Sequence, residues 1–249
     1  MQLPAQLSAL GDRLLSFDTI DSTMDEARRR FDPSMSTRLW IIAAEQGAGR
    51  GRQGRPWQSP PGNLHLTLLS PIQTPLRDQA KLGFVAGVAL ARAVASLLPD
   101  HANLKLKWPN DLLLGGAKVS GLLLEGLGQG AAIAIGIGVN IVAHPPDMPY
   151  PAAHLRMAAP DMTCENLFAK LAATLVEELD LFANGSGFPL TRQRWLTHAA
   201  HMGQSIRVRQ GETSLEGIFC DIDMEGRLLL ETSGGLARID AGDVFPLDK

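Results

Sequence analysis

Three arginines stand in a short glycine-rich segment, "GAGRGRQGRPW", at residues 47–57. Guanidinium groups bind carboxylate and phosphate oxygens in pairs, and glycines let the backbone approach a ligand closely. Arg50, Arg52 and Arg55 are therefore candidate anion-binding groups. The formal net charge of the chain is -3, which argues against a general binder of polyanions, so we expect any affinity for phosphate to be local.

Within this segment, "GRGRQG" also fits the G-x-G-x-x-G pattern of dinucleotide-binding loops. That pattern needs a helix directly after the third glycine, and Pro56, Pro60 and Pro61 exclude a helix of useful length there. A G-x-x-x-x-G-K-[ST] phosphate loop is also missing from the sequence. Three interpretations stay open: a loop that folds over a ligand, a solvated surface loop, and an RNA-binding arginine patch. The last class normally brings repeats or stacking aromatics, and only Trp57 is nearby.

Polar residues of the same kind recur in three other segments. "DSTMDEA" at 21–27 predicts a helix start, with Ser22 or Thr23 as N-cap and Asp25 and Glu26 completing a capping box. "KWPND" at 107–111 is equally typical of a turn, and the asparagine that ends "GIGVN" is equally typical of a capping residue. The candidate polar groups are Lys107, Asn110 and Asp111 of "KWPND", Lys118 of the segment "GGAKVSGLLLE" that follows it, and Asn140 of "GIGVN".

The elements that must position these groups are visible as short apolar segments bounded by Gly, Pro or Asn. They predict strands of a central sheet at 39–45, 63–70, 104–109, 121–127 and 131–142. An Ala-rich segment predicts a buried helix at 77–98, and a leucine stripe predicts a core helix at 165–185. From about Gln204, closely spaced short strands and turns predict a small SH3-like β-barrel. We therefore expect two domains, 1–202 and 203–249.

Composition limits the class of protein. The chain has 249 residues, of which 45% are hydrophobic and 20% charged, as in an ordinary globular protein. Two cysteines are too few for a disulfide scaffold and predict reduced, buried thiols. The N-terminus has no signal-peptide pattern and no apolar run is long enough to span a membrane, so we expect a cytoplasmic protein without a membrane partner.

Taken together, the motif series resembles the catalytic domain of the biotin protein ligases. It reads "DST…AEQGAGRGRQGRPW…GNLHLTLL…KWPNDLLL…KVSGLLLE…GIGVN" from residue 21 to residue 140, and the C-terminal β segment resembles the small domain of the same family. The resemblance implies an α+β fold: a mixed central sheet with packed helices, of the class II synthetase-like type, plus a C-terminal SH3-like β-barrel.

The resemblance also implies an activity. Enzymes of this family use ATP and Mg²⁺ to activate biotin as biotinyl-5′-AMP, and then transfer biotin to one lysine of a biotin carboxyl carrier protein. It implies a homodimer as well, and no DNA partner, because about 20 residues precede "DST", too few for a winged-helix domain. Two alternatives stay open: a lipoate or octanoate ligase, and a nucleotide-binding regulator without catalysis.

The roles of individual residues follow from the same resemblance. It implies Lys118 and Arg52 as catalytic cations. For the biotin pocket it implies Ser22, Thr23, Gln46, Gly49, Arg50, Arg52, Lys118, Gly121 and Leu123, and it implies that Gly51 belongs to the loop that closes over the ligand. For the nucleotide it implies Arg52, Arg55, Trp57, Asn110, Asp111 and Asn140. It identifies no ligands of Mg²⁺. His65 and Met24 depart from the family pattern, so we expect that part of the pocket wall to differ from the family's.

Overall fold

The computed structural model describes residues 1–100 and 103–247. Its larger part is a seven-stranded sheet in the order β1-β2-β3-β7-β6-β5-β4. The strands are β1 Arg13–Ile20, β2 Leu39–Gln46, β3 Leu64–Pro71, β4 Leu104–Lys107, β5 Asp111–Leu114, β6 Ala117–Leu127 and β7 Ala132–Val139. The pairing of β1 with β2 is parallel and the other pairings of this sheet are antiparallel. Its central strands are apolar almost throughout because elements cover both faces.

Five helices accompany the sheet within the described residues. They are α1 Ala5–Ala9, α2 Thr23–Arg30, α3 Leu82–Ala95, α4 Cys164–Phe182 and α5 Phe188–Thr197. The Ala-rich sequence of α3 lets it lie between the sheet and α4, and nearly all of its residues are buried. Trp40 of β2 and Phe168 of α4 meet edge to face in this layer, with ring centroids 5.9 Å apart. The main core therefore lies on the face of the sheet that α3 and α4 cover.

One buried carboxylate ties these helices together. The side chain of Glu178 in α4 is fully buried, and its Oε1 accepts hydrogen bonds from Arg92 of α3 at 2.6 Å and Arg194 of α5 at 2.7 Å. A buried charge is tolerated when it is paired and hydrogen-bonded in this way. The three helices are thus fixed relative to one another by one ion cluster.

The opposite face of the sheet carries α2, which packs on β2, β3 and β7. A smaller apolar cluster, including Met24, Ala27 and Ile41, lies beneath it. Ser22 caps this helix, because its Oγ accepts a hydrogen bond from the backbone N–H of Asp25 at 3.4 Å. The second half of the predicted capping box is wrong: the Asp25 carboxylate pairs with Arg28 and Arg50.

The C-terminal segment forms a five-stranded antiparallel sheet in the order β11-β10-β9-β8-β12. Its strands are β8 Ser205–Gln210, β9 Thr213–Ile222, β10 Leu228–Thr232, β11 Gly235–Ile239 and β12 Asp243–Pro246. The last strand returns to pair with the first, and the inner residues join the main core, so we call this unit the C-terminal barrel. The predicted fold class is confirmed.

Several contacts seat the barrel on the larger unit. Trp108 Nε1 donates to the carbonyl oxygen of Gly226 at 3.3 Å, and a Cβ at Gly226 would lie 3.0 Å from Phe84 of α3. Arg192 of α5 donates to the carboxylate of Asp221 at 2.5 Å. The boundary near Met202 stays a proposal, with α5 ending at Thr197 before it.

The prediction of buried thiols is wrong for one cysteine. Cys220 is exposed, because the register of β9 against β10 shifts there and leaves Cys220 as the unpaired residue between Phe219 and Asp221, while Phe219 and Ile222 are buried. Cys164 is half-buried at the start of α4, and burial raises the pKa of its thiol to about 11. Both thiols are free.

Candidate active site

An area of the sheet where paired glycines leave no side chains forms the floor of the site. Gly138 of β7 pairs directly with Gly121 of β6 and with His65 of β3, and directly paired residues share a face of the sheet. A Cβ at Gly138 would lie 2.5 Å from Cε2 of Trp57, and one at Gly121 would lie 3.3 Å from its Cζ3. The two glycines therefore let the indole ring of Trp57 lie directly against the strands. We call Gly121 and Gly138 the glycine floor.

A chain of polar side chains borders this floor on the side of α2. Thr67 Oγ1 donates to Thr23 Oγ1 at 2.8 Å, and Gln46 Oε1 accepts from the Thr23 hydroxyl at 3.1 Å and from its backbone N–H at 2.8 Å. Gln46 Nε2 donates to Ser59 Oγ at 2.9 Å, which in turn donates to the carbonyl oxygen of Trp57 at 3.2 Å. This chain fixes the orientation of every amide and hydroxyl in it. It leaves lone pairs on Thr67 and one N–H of Gln46 for a ligand.

Lys118 stands on the other side of the floor. Its Nζ lies 2.7 Å from Asp111 Oδ1, and a Cβ at Gly121 would lie 3.4 Å from the same nitrogen. The ring centroids of Trp57 and Tyr150 lie 5.7 and 5.5 Å from Nζ, within the range of a cation–π contact. Only 17% of the Lys118 side chain is exposed. A mostly buried ammonium thus faces the glycine floor.

Tyr150 is a site residue that the sequence did not indicate. The backbone of Lys118 is hydrogen-bonded to the segment that follows Tyr150. Lys118 N–H donates to Pro151 O at 2.8 Å, and Ala153 N–H donates to Lys118 O at 2.9 Å. Burial raises the pKa of the Tyr150 phenol, and the charge of Asp111 acts in the same direction. In the sequence, Tyr150 could have been noticed as a lone aromatic residue in the proline-rich segment "PPDMPYPAAH". Thr67 was missed for another reason, since it looks like any other residue of a buried strand.

The arginine loop, residues 47–57, is folded back on itself. Gly51 N–H donates to Arg55 O at 2.8 Å, and Trp57 N–H donates to Gly49 O at 2.9 Å. The turn between them needs Gly54 at φ 71°, a conformation that glycine adopts without strain. These bonds bring Trp57 onto the floor.

The three arginines of the loop point in different directions. Arg50 pairs with Asp25 of α2 at 2.6 Å. Arg52 Nη1 donates to Asn110 Oδ1 at 3.3 Å, and Asn110 directly precedes Asp111, which Lys118 contacts. Burial lowers the pKa of the Arg52 guanidinium. Arg52 therefore lies in the site. Arg55 instead extends to Asp243 of the C-terminal barrel.

The remaining predicted residues hold the site together. Asn110 Nδ2 donates to Leu122 O at 2.6 Å. Asn140 is buried, and its Nδ2 donates to Ala153 O at 3.2 Å, so it braces the segment that carries Tyr150. Leu123 borders the cluster under α2 and lies beside Met24. The predicted contacts of these residues with a ligand stay predictions.

His65 fills the wall position that departed from the family pattern. It is 1% exposed, its Nε2 lies 3.2 Å from Pro60 O, and its Nδ1 is buried without a hydrogen-bond partner. Burial lowers the pKa of the imidazole, so the ring is neutral at pH 7. A neutral ring that donates from Nε2 to a carbonyl oxygen presents Nδ1 as an acceptor.

Both parts of the chain are similar to known proteins. The model of the Biotin/lipoate A/B protein ligase family matches residues 16–141, and that of the Biotin protein ligase C terminal domain matches residues 201–245. A biotin–[acetyl-CoA-carboxylase] ligase of Paracoccus denitrificans is 38% identical over 237 residues, which cover 90% of this chain and 97% of the relative. The enzyme of that name from Mycobacterium tuberculosis is 32% identical, over 83% of this chain and 78% of the relative.

Two solved structures show the same fold. Biotin protein ligase from Aquifex aeolicus in complex with biotin and ATP matches with a TM-score of 0.80 and 24% identity, covering 94% of this chain and 97% of that one. Biotin protein ligase from Leishmania major in complex with biotinyl-5-AMP matches with a TM-score of 0.68 and 25% identity, covering 92% and 99%.

Among the described residues, no helix of this chain is long and apolar enough to cross a membrane.

Proposed function

Because the chain belongs to the biotin/lipoate A/B protein ligase family, we propose that it is a biotin protein ligase. It activates biotin as biotinyl-5′-AMP with ATP, and then transfers the biotinyl group to a lysine of a biotin carboxyl carrier protein. The proposal combines the names of the similar proteins with the geometry of the glycine floor.

One observation carries the proposal more than any other. Lys118 and Arg52, from different parts of the chain, contact the consecutive residues Asp111 and Asn110 beside the floor. In the first half-reaction a carboxylate oxygen attacks the α-phosphorus of ATP, a new O–P bond forms and the bond to pyrophosphate breaks, so two anionic groups must approach each other. Fixed cations in a mostly buried site offset that repulsion and stabilise the charge that grows on the phosphate.

The polar chain supports biotin as the acid that is activated. Biotin carries a ureido ring with two N–H donors and one carbonyl acceptor, and the free groups of Thr67 and Gln46 offer both kinds of partner. Lipoate and octanoate carry no such polar ring. Their binding would leave these buried groups unpaired, which costs affinity.

In the second half-reaction the neutral amine of the carrier lysine attacks the carbonyl carbon of the mixed anhydride. A C–N bond forms, the C–O bond to AMP breaks, AMP leaves with the electron pair, and the attacking amine releases one proton. Catalysis in both steps consists of positioning and charge stabilisation, without a covalent bond to the protein. The arginine loop excludes water from the anhydride.

Magnesium fits this site only as an ion that arrives with the triphosphate. The described residues contain no group of three or more His, Cys, Asp or Glu side chains that could hold a metal. Mg²⁺ in phosphate-transfer sites often has one or two carboxylate ligands besides phosphate oxygens and water. Asp111, which the two lysines 107 and 118 hold in place, is the carboxylate that would take this role. The ion would neutralise phosphate charge.

The test is one incubation of the protein with biotin, ATP, Mg²⁺ and a carrier domain. We expect the carrier to gain the mass of one biotinyl group, and a carrier whose acceptor lysine is replaced by arginine to gain none. ATP–pyrophosphate exchange is then compared with biotin, lipoate and octanoate. Equal exchange with lipoate or octanoate favours the acyl-ligase alternative, and binding of ATP without any exchange favours a regulator.

Two further parts of the proposal rest on the resemblance. We propose a homodimer and a cytoplasmic location for the enzyme. Strand β1 forms one edge of the seven-stranded sheet, and an edge strand can pair with a second copy, whereas β4 at the other edge is already hydrogen-bonded to residues 198–200. Sedimentation velocity at several protein concentrations measures the oligomeric state.

A further inference from the structure

The arginine loop is anchored to the C-terminal barrel. Arg55 Nη2 donates to Asp243 Oδ2 at 2.5 Å and its Nη1 donates to Oδ1 at 3.3 Å, a two-point contact between residues 188 positions apart. Arg52 Nη1 donates to the carbonyl oxygen of Gly242 at 3.4 Å. Two arginines of the loop thus contact two consecutive residues at the start of β12.

The barrel holds these two residues in a fixed position. Asp243 pairs with Arg209 across β12 and β8, and Gln210 Nε2 donates to Ala241 O at 2.9 Å. A Cβ at Gly242 would lie 2.7 Å from the side chain of Val208, so only glycine fits there with its carbonyl oxygen toward Arg52. The acceptors for the loop are therefore set by the strand pairing of the barrel, before the loop contacts them.

The charges of this contact are complementary. The Asp243 side chain is 19% exposed, and Arg52, Arg55 and Arg209 surround it. Burial alone would raise the pKa of Asp243, but the hydrogen bond and charge of Arg55 outweigh it, and the pKa is lowered. The carboxylate is thus ionised at neutral pH and available to the loop.

The other end of the loop has a separate anchor. Arg50 pairs with Asp25 of α2, which belongs to the larger unit. The backbone bonds between residues 49 and 57 hold the loop's own shape but not its position over the floor. The contacts at Gly242 and Asp243 are the ones that tie the middle of the loop to a second part of the molecule.

We propose that Asp243 is a positioning residue, which holds the arginine loop over the glycine floor from the C-terminal barrel. We call the contact between Asp243 and Arg55 the latch. Through Arg55 it places Arg52 and Trp57 where they retain the adenylate. The holding of the loop is independent of the ligand's identity, whereas the retention of biotinyl-AMP rests on the proposed function.

Limited trypsin digestion of the full chain tests the first part without any ligand. Arg55 precedes Pro56 and resists cleavage, so the rates are read after Arg50 and Arg52 by mass spectrometry. For Asp243→Asn and Asp243→Ala we expect cleavage about fivefold faster than in the parent, the size expected for loss of a partly buried ion pair. Asp243→Glu keeps the charge and should restore most of the protection.

Two controls separate the latch from general damage to the barrel. Glu216→Gln removes an ion pair with Arg207 on the same sheet, where both side chains are about half exposed and Arg207 lies opposite Phe245 rather than Asp243. Arg209→Gln removes the other partner of Asp243 and leaves Arg55 in place. Both variants should be cleaved at the parental rate.

The second part is measured as the release of biotinyl-AMP from the loaded enzyme. We expect release about fivefold faster from Asp243→Asn, with adenylate formation at saturating substrates changed by less than about twofold. Parental cleavage of Asp243→Asn, or cleavage of Arg209→Gln as fast as that of Asp243→Asn, would overturn the proposal. If the parent forms no biotinyl-AMP while Asp243→Asn still opens the loop, the proposed function fails and the latch is supported.

Discussion

Lys118 is the residue whose replacement should most clearly affect catalysis without affecting the structure. For Lys118→Ala we expect about a hundredfold slower adenylate formation, or about 3 kcal/mol of lost transition-state stabilisation. The reason is its place at the floor, 2.7 Å from Asp111 and 17% exposed. The rate is measured by ATP–pyrophosphate exchange.

Lys107→Ala is the matched control, because Lys107 pairs with the other oxygen of Asp111 at 3.3 Å. We expect it to keep the exchange rate within about fivefold of the parent. If the two variants lose equal activity, the effect comes from Asp111 and not from the charge of Lys118.

A methyl group at the glycine floor tests the placement of Trp57. In Gly138→Ala the new Cβ would lie 2.5 Å from the indole, so the ring must leave the strands. Overpacking of this size costs about 1 to 3 kcal/mol, so we expect biotin affinity to fall about tenfold by calorimetry. Gly83→Ala in α3, whose Cβ would meet its nearest neighbour at 3.6 Å, should bind biotin as the parent does.

His65 makes stability depend on pH. Its folded-state pKa is lowered by burial, so below its unfolded-state pKa the unfolded chain binds a proton that the folded chain does not. The free energy of unfolding should therefore fall as the pH drops from about 7 toward the lowered pKa. Urea unfolding at several pH values measures this slope.

His65→Gln should make that slope smaller without abolishing it, because burial also lowers the pKa values of His154 and His201. An unchanged slope in this variant would show that His65 is protonated equally in both states.

At the scale of elements, Glu178 joins α3, α4 and α5. Glu178→Ala leaves Arg92 and Arg194 without their shared buried partner, and we expect it to lower the free energy of unfolding by about 3 kcal/mol. Glu177→Ala removes a neighbouring carboxylate that also pairs with Arg92 but is 57% exposed, and should cost under about 0.5 kcal/mol. Equal losses in urea unfolding would contradict the role of the buried cluster.

The elements also show what the sequence could and could not predict. The five predicted central strands each overlap an observed strand, because β2, β3 and β7 are buried on both faces and read as apolar runs. Strand β1 was missed because it is an edge strand with mixed polarity, and α5 because it is short and contains Pro189. The site motifs could be found because glycine, arginine and lysine recur there in the motif series "GRGRQGRPW", "KWPND" and "KVSGLLLE". Tyr150 could not, because a long-range backbone pairing with Lys118 brings it to the site.

At the scale of the whole molecule, the barrel and the larger unit share one apolar core, which contains Phe84 and Trp108 as well as Phe219 of β9. Two units that share a core lose it together, so we expect a single unfolding transition. Far-ultraviolet circular dichroism and tryptophan emission should give the same urea midpoint. Two separated midpoints would mean that the barrel unfolds by itself.

The placement of Trp57 gives the protein an optical reporter of its own. The other three tryptophans, Trp40, Trp108 and Trp195, are at most 2% exposed and lie in the core away from the loop. Trp57 alone sits at the end of the arginine loop, with the Lys118 ammonium 5.7 Å from its ring. A nearby positive charge and a change in solvation both alter indole emission, so movement of the loop is recorded in the fluorescence of the unlabelled protein. Stopped-flow mixing with a ligand can therefore follow loop motion on the millisecond scale without a dye or a substitution.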